Sequence, residues 1–400
     1  MTGPELPLDG LRVLDYGQYV AAPFATMLLA DLGADVIKVE PPSGDEWRRY
    51  DPFEEGESRY FYALNRGKRS VALDLKSPEG QQRSRALITS ADALVHNCLP
   101  ERARRFGLDA DSVRAVNPRC VSVCVSAFGS SGPDSERPAY DLIGQALSGL
   151  LLADPRPGDT VPHRTGGLAL ADFTAGLLAA LAVTAGLLGR AEHAPDLEVS
   201  LLGAALALQA QRFVAVEGRD EPARGGEFAG RAELEALAAR AEALEALDPY
   251  YRAHACDDGF IALACLNSGQ RRQVCELLGL EDPFAENPQA EPADAAEHGR
   301  RSAHVRAVED GFARLGVREA VAALAARRVP ASEVRSLGRL FDDPQVRANG
   351  LVQEVDQPGV GPVRLLGSLF KVGGAATGRG RPAPALGEHA DELLGAPAPR

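Results

Sequence analysis

The chain has 400 residues, 45% of them apolar and 25% charged, close to the soluble globular average, which excludes collagen-like, disordered and small disulfide-stapled classes. Asp and Glu number 56 against 43 Lys and Arg, a formal net charge of −13, and that negative field argues against nucleic acid or an anionic membrane as the main partner. At roughly 150 residues per domain, the length predicts two or three units, or one large domain carrying an insertion.

Leu11–Tyr16 reads as a short buried strand, Phe24–Leu32 as a helix with Pro23 at its first turn, and Asp35–Glu40 as the next strand. The alternation continues with a strand at Ser70–Leu75, a helix from Pro78 to Ser90 capped by Ser77, a strand at Ala93–His96, short helices around Glu101 and Asp111, and a strand at Cys120–Val125. Strands alternating with helices predict an α/β fold with a doubly wound parallel sheet, whose ligands lie beyond the carboxyl ends of the strands. Helices are expected at Asp141–Ala153, Asp172–Leu188, Leu197–Val216 and Arg231–Leu247. His254–Cys265 reads as a hairpin turning at Asp258-Gly259 and Gln270–Leu278 as a helix, opening a smaller α+β unit. Glu281–Ala296 reads as an exposed acidic loop; past Val329-Pro330 come two short helical stretches and the apolar segment Val363–Phe370.

No phosphate-binding, dinucleotide, nucleophile-elbow or zincin motif is present. The seven histidines show no ligand spacing, so no metal is expected. Six cysteines without a C-x-x-C pair, an N-terminus lacking the signal-peptide pattern, and a longest apolar stretch at Phe173–Leu188 predict a cytoplasmic protein with buried thiols.

The most informative segment is Gly166–Gly176 (GGLALADFTAG), where Asp172 follows an apolar tetrad and opens a long apolar helix. Position alone leaves two readings open. Asp172 is either an N-cap that accepts backbone N–H groups, or a nucleophilic carboxylate whose reaction those N–H groups assist. Cations at the carboxyl ends of the predicted strands are Arg48, Arg66, Arg69, Lys76, Arg102 and Arg105, and guanidinium forks suit a polyanionic ligand. Only four of the 43 basic residues are lysines, three of them (Lys38, Lys68, Lys76) within the first 76 positions.

In order along the chain, LDGLRVLDYGQYVAAPFATMLLADLGADVIKVEPPSGDEWR, ALNRGKRSVALDLKSPEG, SADALVHNCLPERARRFGLD, VNPRCVSVCVSAFGSSGPDSERPAYDLIGQALSG, EVSLLGAALAL, YYRAHACDDGFIALACLN and FDDPQVRANGLV resemble the family III CoA-transferases. That group includes formyl-CoA:oxalate and carnitine CoA-transferases and the α-methylacyl-CoA racemases. The resemblance implies a Rossmann-like large domain made of residues 1–216 and a returning segment 331–400, a linker helix and small domain at 217–330, and an interlocked homodimer. It implies CoA, as acyl-CoA, and a carboxylic acid as substrates, with Asp172 as the nucleophile. It assigns Val20 and Ala21 to the thioester, and Leu73, Asp74, Lys76, Asn97, Cys98, Leu99, Arg105, Tyr140 and Asp141 to CoA. The glycine-rich flap of the oxalate-specific enzyme has one candidate counterpart, Gly225-Gly226, to which the flap is not assigned. Val20 and Pro41 stand where the oxalate-specific enzyme has Gln and Arg, which argues against oxalate.

Two alternatives are a racemase and a non-catalytic acyl-CoA-binding protein. A racemase needs a proton-shuttling His and Glu, whereas Tyr140 and Asn267 occupy the matching positions. Transfer is therefore the expected chemistry.

Overall fold

A computed structural model describes residues 5–54, 57–190, 192–216, 230–245, 247–284 and 292–395. Gly225-Gly226 and residues 285–291 of the predicted acidic loop lie outside them. The chain divides into two compact units. One comprises Met1–Leu151, Arg164–Glu221 and Phe341–Arg400, the other Leu152–His163 and Pro222–Leu340.

The first unit is built on a six-stranded parallel sheet. Its strands are β1 (Arg12–Asp15), β2 (Asp35–Glu40), β5 (Arg69–Ala72), β6 (Ala93–His96), β7 (Val121–Ser126) and β8 (Asp196–Ser200), with a small antiparallel pair, β3 (Pro52–Glu54) and β4 (Glu57–Ser58), beside them. The sheet order is β5-β2-β1-β6-β7-β8. The chain runs outward from β1 on one side and then crosses to β6 on the other, so the switch point lies between β1 and β6, the usual ligand crevice of an open parallel sheet. β6 is buried along its whole length, as expected for an apolar run covered on both faces.

Helices α1 (Ala21–Asp31), α2 (Arg59–Asn65), α3 (Pro78–Thr89), α4 (Pro100–Phe106), α5 (Ala110–Val116), α6 (Asp141–Leu147), α7 (Leu170–Gly189) and α8 (Leu201–Ala207) surround the sheet. Leu14, Ile37, Val71 and Leu94 from the strands pack with Leu87, Ile88, Phe106 and Val113 from the helices. α3 starts as its sequence predicts: Ser77 Oγ accepts the Gly80 N–H at 3.0 Å and Pro78 occupies the first turn. α1 is buried throughout and packs on α7. α7 is 20 residues long with a mean hydropathy of 1.7, apolar enough to cross a membrane by length and composition. Here it packs instead against α1, α6, α8, β7 and β8.

Two expectations are corrected here. The helix predicted at Leu197–Val216 is a strand up to Ser200, in parallel register with β7. Helix begins only at Leu201, where Ser200 Oγ caps the Gly203 N–H at 3.0 Å. The DLEVS segment, partly buried at Leu197, Val199 and Ser200, meets an open sheet edge, and edge pairing overrides the helical run that follows it. The helix predicted at Asp141–Ala153 stops at Leu147, and the left-handed Gly149 (φ +77°) prevents its continuation.

In the second unit, α9 (Arg231–Glu245) precedes a hairpin of β9 (Tyr251–Cys256) and β10 (Gly259–Ala264), which β11 (Ala331–Glu333) extends to a three-stranded antiparallel sheet. Because β11 pairs with β10, this unit runs past position 330, to Leu340. Helices α10 (Ser268–Leu278), α11 (Ala295–Ala313) and α12 (Val317–Ala326) enclose a core of Tyr250, Ile261, Leu263, Val274, Val308, Phe312 and Leu324. The hairpin β12 (Val352–Gln357) and β13 (Gly361–Leu366) belongs to the first unit.

Candidate active site

A cavity of about 280 Å³ opens at the carboxyl ends of β1, β2, β5, β6 and β7. Asp172 lines it together with Val20, Ala21, Leu73, Asp74, Lys76, Asn97, Cys98, Leu99 and Tyr140. Arg105 and Asp141 do not line it. Gln18, Tyr19, Pro41, Ser126 and Arg102 also line it; the sequence singles out Pro41 and Arg102 among these, and Gln18 and Tyr19 share a turn with Val20.

That turn rests on a buried charge network. The Asp15 Oδ1 accepts the Gly17 N–H at 2.8 Å, while Oδ2 lies 2.8 Å from both Thr26 Oγ1 and Lys68 Nζ. Lys38 Nζ donates to the Gly17 carbonyl at 3.0 Å and pairs with Asp45 at 2.9 Å. All these side chains are buried. Burial works to raise Asp15, but Lys38 and Lys68 outweigh it and hold the carboxyl below its ordinary range. Burial pushes Lys68 down to about 8 against the pull of Asp15. Asp45 Oδ1 accepts the Tyr19 N–H at 3.3 Å and the Trp47 N–H at 3.0 Å, which holds Tyr19 in the left-handed region (φ +67°). From the other side, the Asn97 side chain accepts the Gln18 N–H (3.0 Å) and donates to the Gln18 carbonyl (2.8 Å). The Tyr19 ring makes edge contacts with Trp47 and Tyr140 at 5.4 and 5.2 Å. Two of the three N-terminal lysines are thus structural counter-ions.

Several arginines are corrected in the same way. Arg48 makes a bidentate pair with Glu40 (2.7 and 2.8 Å) over the Phe61 ring. Arg66 is buried against Asp31 and the Leu366 carbonyl. Arg69 is held by Asp35 and Glu392. Their forks are spent inside the fold. Arg102 stacks on Phe106, and neither it nor Lys76 makes an ion pair among the described residues.

Asp172 lies in the first turn of α7, but Ala169 occupies the N-cap position and makes no side-chain cap bond. The capping acceptor is Asp141, whose Oδ1 receives the N–H groups of Ala171 (2.9 Å) and Asp172 (3.2 Å). The N-cap reading of Asp172 is therefore replaced, and Asp141, which the resemblance assigns to CoA, caps α7 and does not line the cavity. Asp172 is half-buried. Burial, with the Asp141 charge second, pushes its carboxyl up to about 7. A carboxylate of raised basicity, at a helix N-terminus on a cavity, is equipped for nucleophilic attack on a carbonyl.

In the second unit, Cys275, Asp282 and His304 bring their ligand atoms within 4.8 Å of one another. The Tyr250 hydroxyl lies among them, 2.8 Å from His304 Nε2 and 3.3 Å from Cys275 Sγ. Spacings of 7 and 22 residues hid this group from a search for regular ligand patterns.

The family model described as CoA-transferase family III matches residues 8–390. The succinyl-CoA:glutarate CoA-transferase of Homo sapiens is 30% identical over 97% of this chain and 85% of its own. The succinyl-CoA:mesaconate CoA-transferase of Haloarcula hispanica is 31% identical over 97% of this chain and 95% of its own. A crystal structure of a CAIB/BAIF family protein from Brucella suis superposes with a TM-score of 0.74 at 30% identity, covering 98% of this chain and all of its own.

Proposed function

The chain belongs to CoA-transferase family III and is a CoA-transferase, and we propose that it transfers CoA from an acyl-CoA to a free carboxylic acid through Asp172. The ionised Asp172 attacks the thioester carbonyl, and the C–S bond breaks to give an acyl–aspartyl anhydride and CoA thiolate. The thiolate attacks the Asp172 carbonyl, releasing the donor acid and leaving an aspartyl-CoA thioester. The incoming carboxylate attacks that thioester, expelling thiolate and forming a second anhydride. Thiolate then attacks the new acyl carbonyl, which yields product and restores Asp172. Each step exchanges thioester for anhydride, so the sequence consumes no ATP.

The observation that carries this reading is Asp172 itself, basic for an aspartate, on the cavity wall beside Val20 and Ala21. Lys76 and Arg102 are the cations available there for CoA phosphates, and Leu73, Leu99 and Val125 offer an apolar wall for the pantetheine arm. The names of the relatives support succinyl-CoA as donor and a five-carbon dicarboxylic acid as acceptor. Racemisation is disfavoured because Tyr140 is a phenol, and Asn267 spends its side-chain oxygen capping α10 through the Gln270 N–H (2.9 Å).

We also propose a homodimer working in the cytoplasm. Leu177, Leu181 and Leu188 of α7 are 50%, 64% and 85% exposed in the single chain, an apolar face suited to a second copy. All six cysteines are free, which suits a reducing compartment.

Incubation with succinyl-CoA and borohydride or hydroxylamine, followed by peptide mass mapping, is expected to find the adduct on Asp172. An unmodified Asp172, or full activity in Asp172→Ala, would overturn the mechanism.

A further inference from the structure

Gln145 is fully buried in α6, one turn after Asp141. Its Nε2 donates both N–H groups, to Asp141 Oδ2 at 2.6 Å and to the Leu168 carbonyl at 3.0 Å. Its Oε1 is buried with no hydrogen-bond partner among the described residues. A leucine or methionine would fill the same space without that desolvation penalty, so an amide kept here at a cost points to what its nitrogen does. Leu168 closes the Gly166-Gly167 approach to α7, and Asp141 caps that helix from outside. Gln145 is the side chain that joins the two.

We propose that Gln145 is a positioning residue for the nucleophile: its amide ties Asp141 to the Leu168 carbonyl, fixing both the carboxylate that caps the first turn of α7 and the approach to Asp172. This rests on Asp172 being the nucleophile. Three N–H donors on one carboxylate hold Asp141 in place beside the first turn of α7, and burial, with the Asp141 charge second, raises the proton affinity of Asp172. The other elements packed on α7 carry Asp31 (α1), His96 (β6), Cys124 (β7) and Asp196 and Glu198 (β8), while α8 carries no titratable group. Among the charges of the described residues, Asp141 is the one that acts on Asp172.

The test compares Gln145→Leu and Gln145→Glu in the full-length enzyme. Leucine removes the donor that holds Asp141 in place, so Asp141 is free to turn away from α7, its charge acts less on Asp172, and Asp172 ionises at lower pH. Glutamate adds a third carboxyl, so Asp172 ionises at higher pH. The readouts are the acid limb of kcat/KM and the titration of Asp172 by 13C NMR of labelled aspartate in the unliganded protein. Midpoints displaced in opposite directions, with kcat lowered on the order of 10- to 100-fold and KM for succinyl-CoA within about twofold, support the proposal. Midpoints unchanged, or displaced together with a lost thermal transition, overturn it and leave Gln145 a packing residue. If the leucine variant does not fold, the near-isosteric glutamate variant decides by the same midpoint. The NMR titration tests the clamp even if trapping finds no adduct on Asp172 in the wild type, a result that would instead remove the proposed mechanism.

Discussion

The backbone N–H of Asp172 donates to Oδ1 of Asp141 at 3.2 Å, so the residue proposed as nucleophile is tied through its main chain to a second carboxylate. In the proposed mechanism Asp172 attacks only when ionised, so kcat/KM is expected to fall on the acid side of pH 7, following the carboxyl raised to about 7. Asp141→Asn removes the charge but keeps an oxygen for the cap. Its acid limb should move down, toward the ordinary aspartate value of about 4. A limb unmoved in a pH profile of that variant would show that Asp141 does not set the ionisation.

The same shift affects stability. The folded-state proton affinity of Asp172 exceeds its unfolded value, so its contribution is neutral below about pH 4, becomes unfavourable as pH rises, and levels off above pH 7. Asp172→Asn should therefore abolish transfer yet raise the melting temperature, with the gap over wild type growing between pH 4 and 7. The upper bound is about 4 kcal/mol. Thermal unfolding of both proteins across that range is the measurement.

Substitutions of the arginines and of Lys76 should separate into two groups. Lys76→Ala and Arg102→Ala, at cavity cations without ion pairs, are expected to raise KM for acyl-CoA about 3- to 10-fold with little change in kcat or melting temperature. Arg66→Ala strips a buried carboxylate, Asp31, of its partner and should cost about 3–5 kcal/mol of stability. Steady-state kinetics beside denaturant melts on the three variants distinguish binding from folding.

Gly176 lets α7 approach α1 closely. A Cβ there would lie 2.8 Å from the Ala21 carbonyl oxygen and 2.9 Å from Phe24 Cδ1. Gly176→Ala is expected to cost about 1–3 kcal/mol. Because the displaced backbone carries Val20 and Ala21, it should also weaken acyl-CoA binding, read as a rise in KM.

On the proposed dimer, Leu177→Asp with Leu181→Asp places two charges on the exposed apolar face of α7. Light scattering should then give a monomer, against a dimer for wild type. An unchanged mass would place the interface elsewhere.

By itself the sequence determined the parallel α/β sheet and placed Asp172 at the start of an apolar helix. Short apolar runs such as Ala93–His96, alternating with helical patterns, read as buried strands, while position left Asp172 either a cap or a nucleophile and the family resemblance assigned it the second role. Periodicity and turn chemistry are local, and they survive in the chain as written. Partners are not local. Arg66 meets Asp31 from 35 positions away, Arg48 spends its fork on Glu40, and Asp141 turns from the cavity to cap a helix 30 residues downstream. Even DLEVS became a strand only because β7 offered it an edge. Sequence reports that a charge exists. Only the tertiary structure decides whether that charge is neutralised in the core, lines the cavity, or sets the proton affinity of its neighbour, because Coulomb energies and desolvation depend on distances and burial that no spacing along the chain encodes.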